Sequence, residues 1–357
     1  MAFISRSTNG LDVPGTTSAD SGLQALGCSG LDNLPVDAAH HFTLGHSFFA
    51  SRAWWETILA HGIPGGARPE FVLIGDRGLF PMLHDPASGG FRALTTPYTC
   101  LYEPVGDAAC HTAFARFCRS FPTTRLDALP AAAADALAVA GGRAGLSVAR
   151  FEHFGNWYED ITGLDWSGYL ARRPGATRET IRRRTRRAER MADTEFHLFR
   201  DETSLDRGIA AFEEVYARSW KDPEPFPAFN EAQIRAAARQ GVMRLGVWWI
   251  GGIAAAVQFW IVERNKATVL KLAHDEVFKA HSPGTVVTAW MIRHMIEQEG
   301  ATELDFGRGD DPYKKNWVAS RRPRMGVLLI NPRHPKGLLA LTRHTMGRIK
   351  ARFHSPV

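Results

Sequence analysis

The chain has 357 residues, 45% of them hydrophobic and 22% charged, with a formal net charge of +6. This is too long for one ordinary domain and too apolar for a disordered chain, so two packed cores are expected. Cys28, Cys100, Cys110 and Cys118 lack the CxxC or Cys/His spacing of a zinc site, so reduced structural thiols are expected and no metal.

Residues 1–35 are rich in Gly, Ser, Thr, Asp and Pro without apolar periodicity and are expected to form a disordered leader. The N-terminal stretch shows no basic segment followed by an apolar one, which points to the cytoplasm. An α/β segment is expected over 36–155: a helix around Trp54 and Trp55, strands at Glu70 to Gly75 and Leu79 to Leu83, an extended stretch from Phe91 to Tyr102, an Ala-rich helix from Leu129 to Ala140, and a strand at Ala149 to Phe154. The two tryptophan pairs, Trp54-Trp55 and Trp248-Trp249, are expected in cores.

A second segment, 156–334, opens with a helix carrying Arg178, Arg182, Arg183, Arg184, Arg186, Arg187 and Arg190. Its arginines suit either a solvated face or the attraction of phosphate. A strand at Phe196 to Arg200, a helix at Leu205 to Ser219, a Pro-rich loop and a helix at Asn230 to Arg239 follow. Val242 to Trp249 and Ile253 to Val262 then read as a hairpin turning at Gly251-Gly252, because glycine accepts the positive φ of tight primed turns. Val247 to Val262 is too short to span a bilayer. A strand at Thr268 to Ala273, a loop, a helix at Thr285 to Gln298 and a strand at Thr302 to Phe306 complete the order.

Lys279-Ala280-His281-Ser282-Pro283-Gly284 lies between a strand and a helix, where free backbone N–H groups and the helix dipole together favour an anion. The order of hairpin, long strand, Lys-x-x-Ser-x-Gly loop, helix and strand resembles the GNAT superfamily. That family's loop usually reads Arg/Gln-x-x-Gly-x-Gly/Ala, and here Ser282 stands at the first glycine. Thr268 to Asp275, Ser282-Pro283-Gly284, Asp305-Phe306-Gly307-Arg308-Gly309-Asp310, Tyr313-Lys314, Trp317, the Arg-rich helix and Ser219-Trp220 look like the branch of FemAB-type transferases and cellulose-biosynthesis-associated acetyltransferases. The resemblance covers roughly residues 45–330. It implies an α/β fold of two tandem GNAT-like domains, each a mixed central sheet flanked by helices, and acyl transfer from a thioester.

Acyl-CoA is then the expected co-substrate, with Lys279, His281, Ser282, Gly284 and Thr285 as its pyrophosphate site. Transfer to an amine needs a deprotonated acceptor, a polarised carbonyl and a protonated leaving thiolate. His274 and Asp275 are candidate bases, Asp305 and Asp310 flank the next strand, Tyr313 could protonate the thiolate, and Arg308 and Lys314 could hold an anion. The acceptor is expected to be a small-molecule or lipid amine, such as the sphingoid amine of the bacterial ceramide synthases that share this resemblance. Competing readings are FemAB-type aminoacyl transfer from tRNA to a cell-wall or polysaccharide precursor and a non-catalytic module holding anionic lipid or nucleic acid. The chain has no long helical arm of the tRNA-dependent kind, and no specific nucleic acid is expected.

After Asp311 the chain has no acidic residue, so its end is strongly basic. Within 335–357, Leu338, Leu339, Leu341, Met346, Ile349 and Phe353 form an apolar stripe opposite Arg343, His344, Arg348, Lys350 and Arg352. That pattern predicts either an interfacial helix on the inner face of an anionic membrane or a helix packed on the second domain.

Overall fold

In the computed structural model, residues 23–44 and 47–354 are described, with side chains as far as Met346 in the last helix. The first half comprises β1 (Ala25–Cys28), α1 (His40–Leu44), α2 (Arg52–His61), β2 (Pro69–Ile74), β3 (Gly78–Asp85), β4 (Gly90–Ala93), α3 (Ala108–Phe117), β5 (Thr123–Leu129), α4 (Ala131–Arg143) and β6 (Ser147–Asp160). The second comprises α5 (Trp166–Ala171), α6 (Gly175–Glu189), β7 (Thr194–Phe199), α7 (Leu205–Ala217), α8 (Phe229–Arg239), β8 (Met243–Ile250), β9 (Ile253–Glu263), β10 (Lys266–His274), α9 (Pro283–Glu297), β11 (Glu303–Asp305) and β12 (Ser320–Ile330), followed by α10 (Pro335–His354).

All twelve strands join one sheet in the order β1-β2-β3-β4-β5-β12-β6-β11-β10-β9-β8-β7. Two contacts are parallel, β4 with β5 and β10 with β11, and the rest are antiparallel. Each parallel pair is joined through one helix, α3 or α9, as a parallel connection requires. The halves therefore repeat one plan: four strands in antiparallel succession, a helix, and a fifth strand parallel to the fourth. This is the expected α/β architecture of two tandem GNAT-like units.

The halves exchange their last strands. β6 pairs with β11 of the second half, β12 pairs with β5 of the first, and β6 and β12 run against each other from Ser147↔Ile330 to Tyr158↔Ser320. A boundary at residue 155 consequently falls inside β6, not in a linker. The core crosses the same junction: Phe229 of α8 stacks on Tyr98 with ring centroids 4.1 Å apart and meets Trp54 of α2 edge-on at 5.8 Å. A second cluster lies between the other face of β8–β11 and helices α5, α6 and α9.

Several local expectations appear in place. Gly251 and Gly252 take φ of 59° and 76° at the β8–β9 turn. Trp54, Trp55, Trp248 and Trp249 are buried, as are the four free thiols. Other features differ. Residues 1–22 of the expected leader lie outside the described residues, but Ala25–Cys28 forms an edge strand on β2 and Leu31 is buried, because backbone pairing supplies what the sequence pattern lacks. Strands β5 and β12 and helix α3 lie where no element was expected.

Candidate active site

β10 carries the site. Ala267 and Val269 point into the cluster under α9, and the register against β9 then slips between Val269 and Lys271. Such a bulge unpairs backbone and re-aims side chains. Lys271 emerges beside the α7–α8 connection and pairs with Glu224; the two side chains are only 15% and 13% exposed. Its ammonium also lies 3.4 Å from the Tyr216 hydroxyl and 4.6 Å from the centre of the Tyr98 ring. Burial lowers the Lys271 ammonium, with Glu224 opposing that shift. Burial would raise the Glu224 carboxyl, but bonds from Lys271 and Tyr216 outweigh it and hold the group below its ordinary value. Lys221 stands close by, its ammonium lowered by burial and by Lys271.

One turn of chain further, His274 ends the strand. Its ring lies 4.4 Å from that of Trp220, Nε2 is 3.2 Å from Glu276, and Nδ1 is 3.4 Å from where a Cβ on Gly284 would stand. Burial holds this imidazole below its usual value, which favours the neutral ring able to accept a proton. The loop that follows is fixed by Asp275, which accepts from the Val277 N–H at 3.0 Å and from Arg218 at 2.7 Å.

Ser282 then takes φ 54° and ψ 50°. A left-handed backbone at this point is what a glycine would provide most easily, so Ser282 holds a conformation that suits the glycine usual at this position. Pro283 opens α9, a position that suits its fixed φ and missing N–H. The N–H groups of Gly284 and Thr285 belong to the first turn, and Arg184 of α6 reaches across to the Ala280 carbonyl at 3.1 Å with its Nε unpartnered among the described residues. Lys279 is 75% exposed beside Glu276. His281, Ser282, Gly284 and Thr285 are half-buried around the helix start. The arrangement can hold a phosphate or pyrophosphate.

The residues after β11 divide. Asp305 is buried and ringed by Lys266 and Arg322 at 2.7 Å, Arg324 at 3.8 Å and the Asn156 amide at 2.6 Å. Burial would raise this carboxyl, but the cations hold it far below the carboxylate range. Gly307 has φ 63°, and a Cβ there would stand 2.4 Å from the Val269 carbonyl, so β11 exits directly against the β10 bulge. Lys314, 3% exposed, staples the loop through the carbonyls of Arg308 and Gly309 at 2.6 and 3.0 Å and through Asp311 at 3.0 Å. Arg308 lies 4.4 Å over the Phe154 ring. Asp310 faces β6 and β12, bonded to Arg321 at 2.6 Å and to the Trp157 indole at 3.0 Å, while Tyr313 is exposed.

The structure thus joins His274 to the loop residues around α9. Asp275, Asp305, Asp310 and Lys314 have their polar atoms engaged in bonds within the fold. Lys271, Glu224, Tyr98 and Tyr216 were not singled out as site residues from sequence. The legible signal was Lys271 itself, a lone cation in the apolar run from Thr268 to Ala273.

The family described as "Acetyltransferase (GNAT) domain" matches residues 175–315, from α6 through the Lys314 staple. The match lies within the second half of the chain and likens that segment to a GNAT acetyltransferase domain. No curated protein matches the chain. Among solved structures, FemX is 11% identical with a TM-score of 0.57, covering 84% of this chain and 97% of that one. The C-terminal domain of a protein described as a lysylphosphatidylglycerol synthetase from Agrobacterium fabrum is 15% identical with a TM-score of 0.53, covering 87% and 95%. L-PGS from Bacillus licheniformis is 12% identical with a TM-score of 0.52, covering 80% and 94%. At these identities the likeness establishes the fold.

Proposed function

We propose that the chain is an N-acyltransferase that takes an acyl group from a CoA thioester and passes it to an amine. The observation that carries this reading is the left-handed Ser282 leading into the free N–H groups of α9, next to a neutral His274. The pyrophosphate would lie against Ser282, Gly284 and Thr285, with Lys279, His281 and Arg184 adding polar or positive groups. The acyl chain would then follow β10 toward the bulge at Val269 and Lys271.

In the transfer the amine nitrogen attacks the thioester carbon, the C–N bond forms and the C–S bond breaks. The amine loses a proton to His274 or to Glu224, and the leaving thiolate gains one, with exposed Tyr313 as the donor. Lys271 and Lys221 supply positive charge where the oxyanion develops. A lipid-like acceptor is favoured by α10, where Leu338, Leu339 and Met346 are 56%, 51% and 60% exposed next to Lys336 and Arg343. No helix among the described residues is long and apolar enough to cross a membrane. Attachment would therefore be to a bilayer surface.

A second reading, aminoacyl transfer from tRNA, is favoured by the exposed Arg182, Arg183, Arg186 and Arg187 on α6 beside the same loop. Thiol release separates the two. The chain incubated with acyl-CoA and a panel of long-chain and short amines should liberate free CoA thiol in an amine-dependent manner. Absence of thiol release with every pair, together with transfer from charged tRNA, would replace the first reading by the second.

A further inference from the structure

A cavity of about 320 Å³ lies where the two halves meet, on the Lys266 and Thr268 side of β10, with Cys100 to Glu103 forming the wall from the first half. Its volume is in the range of small-molecule sites. The charges around it are separated. On one side Lys266, Arg322 and Arg324 surround Asp305, with Glu303 bridging Lys266 and Arg322, so three cations face two carboxylates. Arg324 is 7% exposed, lines the cavity, and has a buried Nε with no partner among the described residues. On the other side stand two more carboxylates and one cation, Arg264. Glu103 has a buried Oε2 without a partner among the described residues, and Glu263 spends its Oε2 on the Phe48 N–H at 2.7 Å.

Neither side is balanced by itself. Leaving a buried guanidinium N–H and a buried carboxylate oxygen unmet is costly, so each favours a group of opposite character in the cavity. Burial raises the Glu263 carboxyl and outweighs the Phe48 N–H, Lys266 and Arg264, which oppose the shift, while Glu103 adds to it in the smallest part. We propose that this cavity binds a small zwitterion, its ammonium between Glu103 and Glu263 and its carboxylate at Arg324 and Lys266. The chemical class is a free α- or ω-amino acid. The site is distinct from the groups around Lys271 and His274, and its existence does not depend on the acyl-transfer reading, because its test reads binding alone.

The test is titration calorimetry of the full chain with the protein L-α-amino acids, β-alanine and γ-aminobutyrate, and with n-butylamine and butyrate as single-charge controls. At least one zwitterion should bind with Kd below about 1 mM and at least about tenfold tighter than either control, since each charged end is worth a charge-assisted hydrogen bond. Glu103→Gln with Glu263→Gln should weaken it by about tenfold or more, and the glutamine at 263 can still accept from Phe48. Leu101→Trp, filling the cavity from the first-half wall that also carries Glu103, should abolish binding and serves where the double substitution proves unstable. No binding by any zwitterion, undiminished binding in both variants, or equally tight binding of n-butylamine overturns the assignment.

Discussion

Lys271 and Glu224 form the least exposed charge pair beside the β10 bulge, and their energetics follow from desolvation. Removing one partner strands the other in a site with little water. Lys271→Met and Glu224→Gln should each destabilise the fold by about 3–5 kcal/mol, and the double variant by less than either sum. Urea denaturation of the four proteins reads this cycle, and additive losses would contradict the pairing. His274 has a separate expectation. With its ring held neutral by burial, His274→Asn should lower the single-turnover rate by about 10²-fold or more while leaving thiol-ester binding in place. An unchanged rate would move the proton acceptor to Glu224. At this scale the sequence was only partly legible. A lone lysine in an apolar strand can be seen by eye, but Glu224, Tyr98 and Tyr216 come from three separate segments and are brought to Lys271 by packing across the halves.

The loop from Asp275 to Ser282 and the start of α9 act as a unit. Ser282 tolerates a left-handed backbone at a cost, so Ser282→Gly should raise stability by about 1 kcal/mol and preserve CoA binding. Gly284→Val should do the opposite to function: its Cβ meets only His274 Nδ1 at 3.4 Å, so the fold should survive while the branched side chain crowds His274 and the approaching phosphates. Equal CoA affinity in wild type and Gly284→Val, measured by calorimetry, would dissociate the helix start from the cofactor. α10 offers a further element-scale test. Deleting residues after Lys336 should abolish co-sedimentation with anionic liposomes while shifting the melting temperature little, since each basic residue near such a surface contributes about 1 kcal/mol. Loss of folding in the truncated chain would instead show α10 to be a packed helix. The loop and α9 were legible because Pro-Gly before an apolar run is a local signal. β12 was not, because Arg321, Arg322, Pro323 and Arg324 read as a charged loop, whereas pairing with β6 makes a strand of them and ion pairs with Glu152, Glu303, Asp305 and Asp310 satisfy their charges.

The described residues share one open twelve-stranded sheet whose halves are joined at its centre by exchange of β6 and β12. Two domains could be inferred from length and their tandem plan from the family resemblance, but the exchange could not, since it depends on pairings such as Tyr158↔Ser320, far apart in sequence. Stability should also be acid-sensitive. Burial holds His41, His111, His153, His274 and His294 below the ordinary imidazole value of 6.5. The unfolded chain therefore takes up protons at these positions before the folded one does, and stability falls as pH drops through the unfolded value; exposed His40 shifts the other way, one group against five. The urea midpoint should be lower at about pH 5.5 than at about pH 7.5, and an equal or higher midpoint would contradict the buried neutral rings.

The central proposal, that this chain draws its acyl group from a CoA thioester, is tested most directly by native mass spectrometry of the full chain against acyl-CoAs of increasing chain length, with charged tRNA as the competing donor. The account predicts a one-to-one acyl-CoA adduct that is retained by Ser282→Gly and weakened in Gly284→Val. A chain that forms no adduct with any acyl-CoA but binds charged tRNA would contradict it.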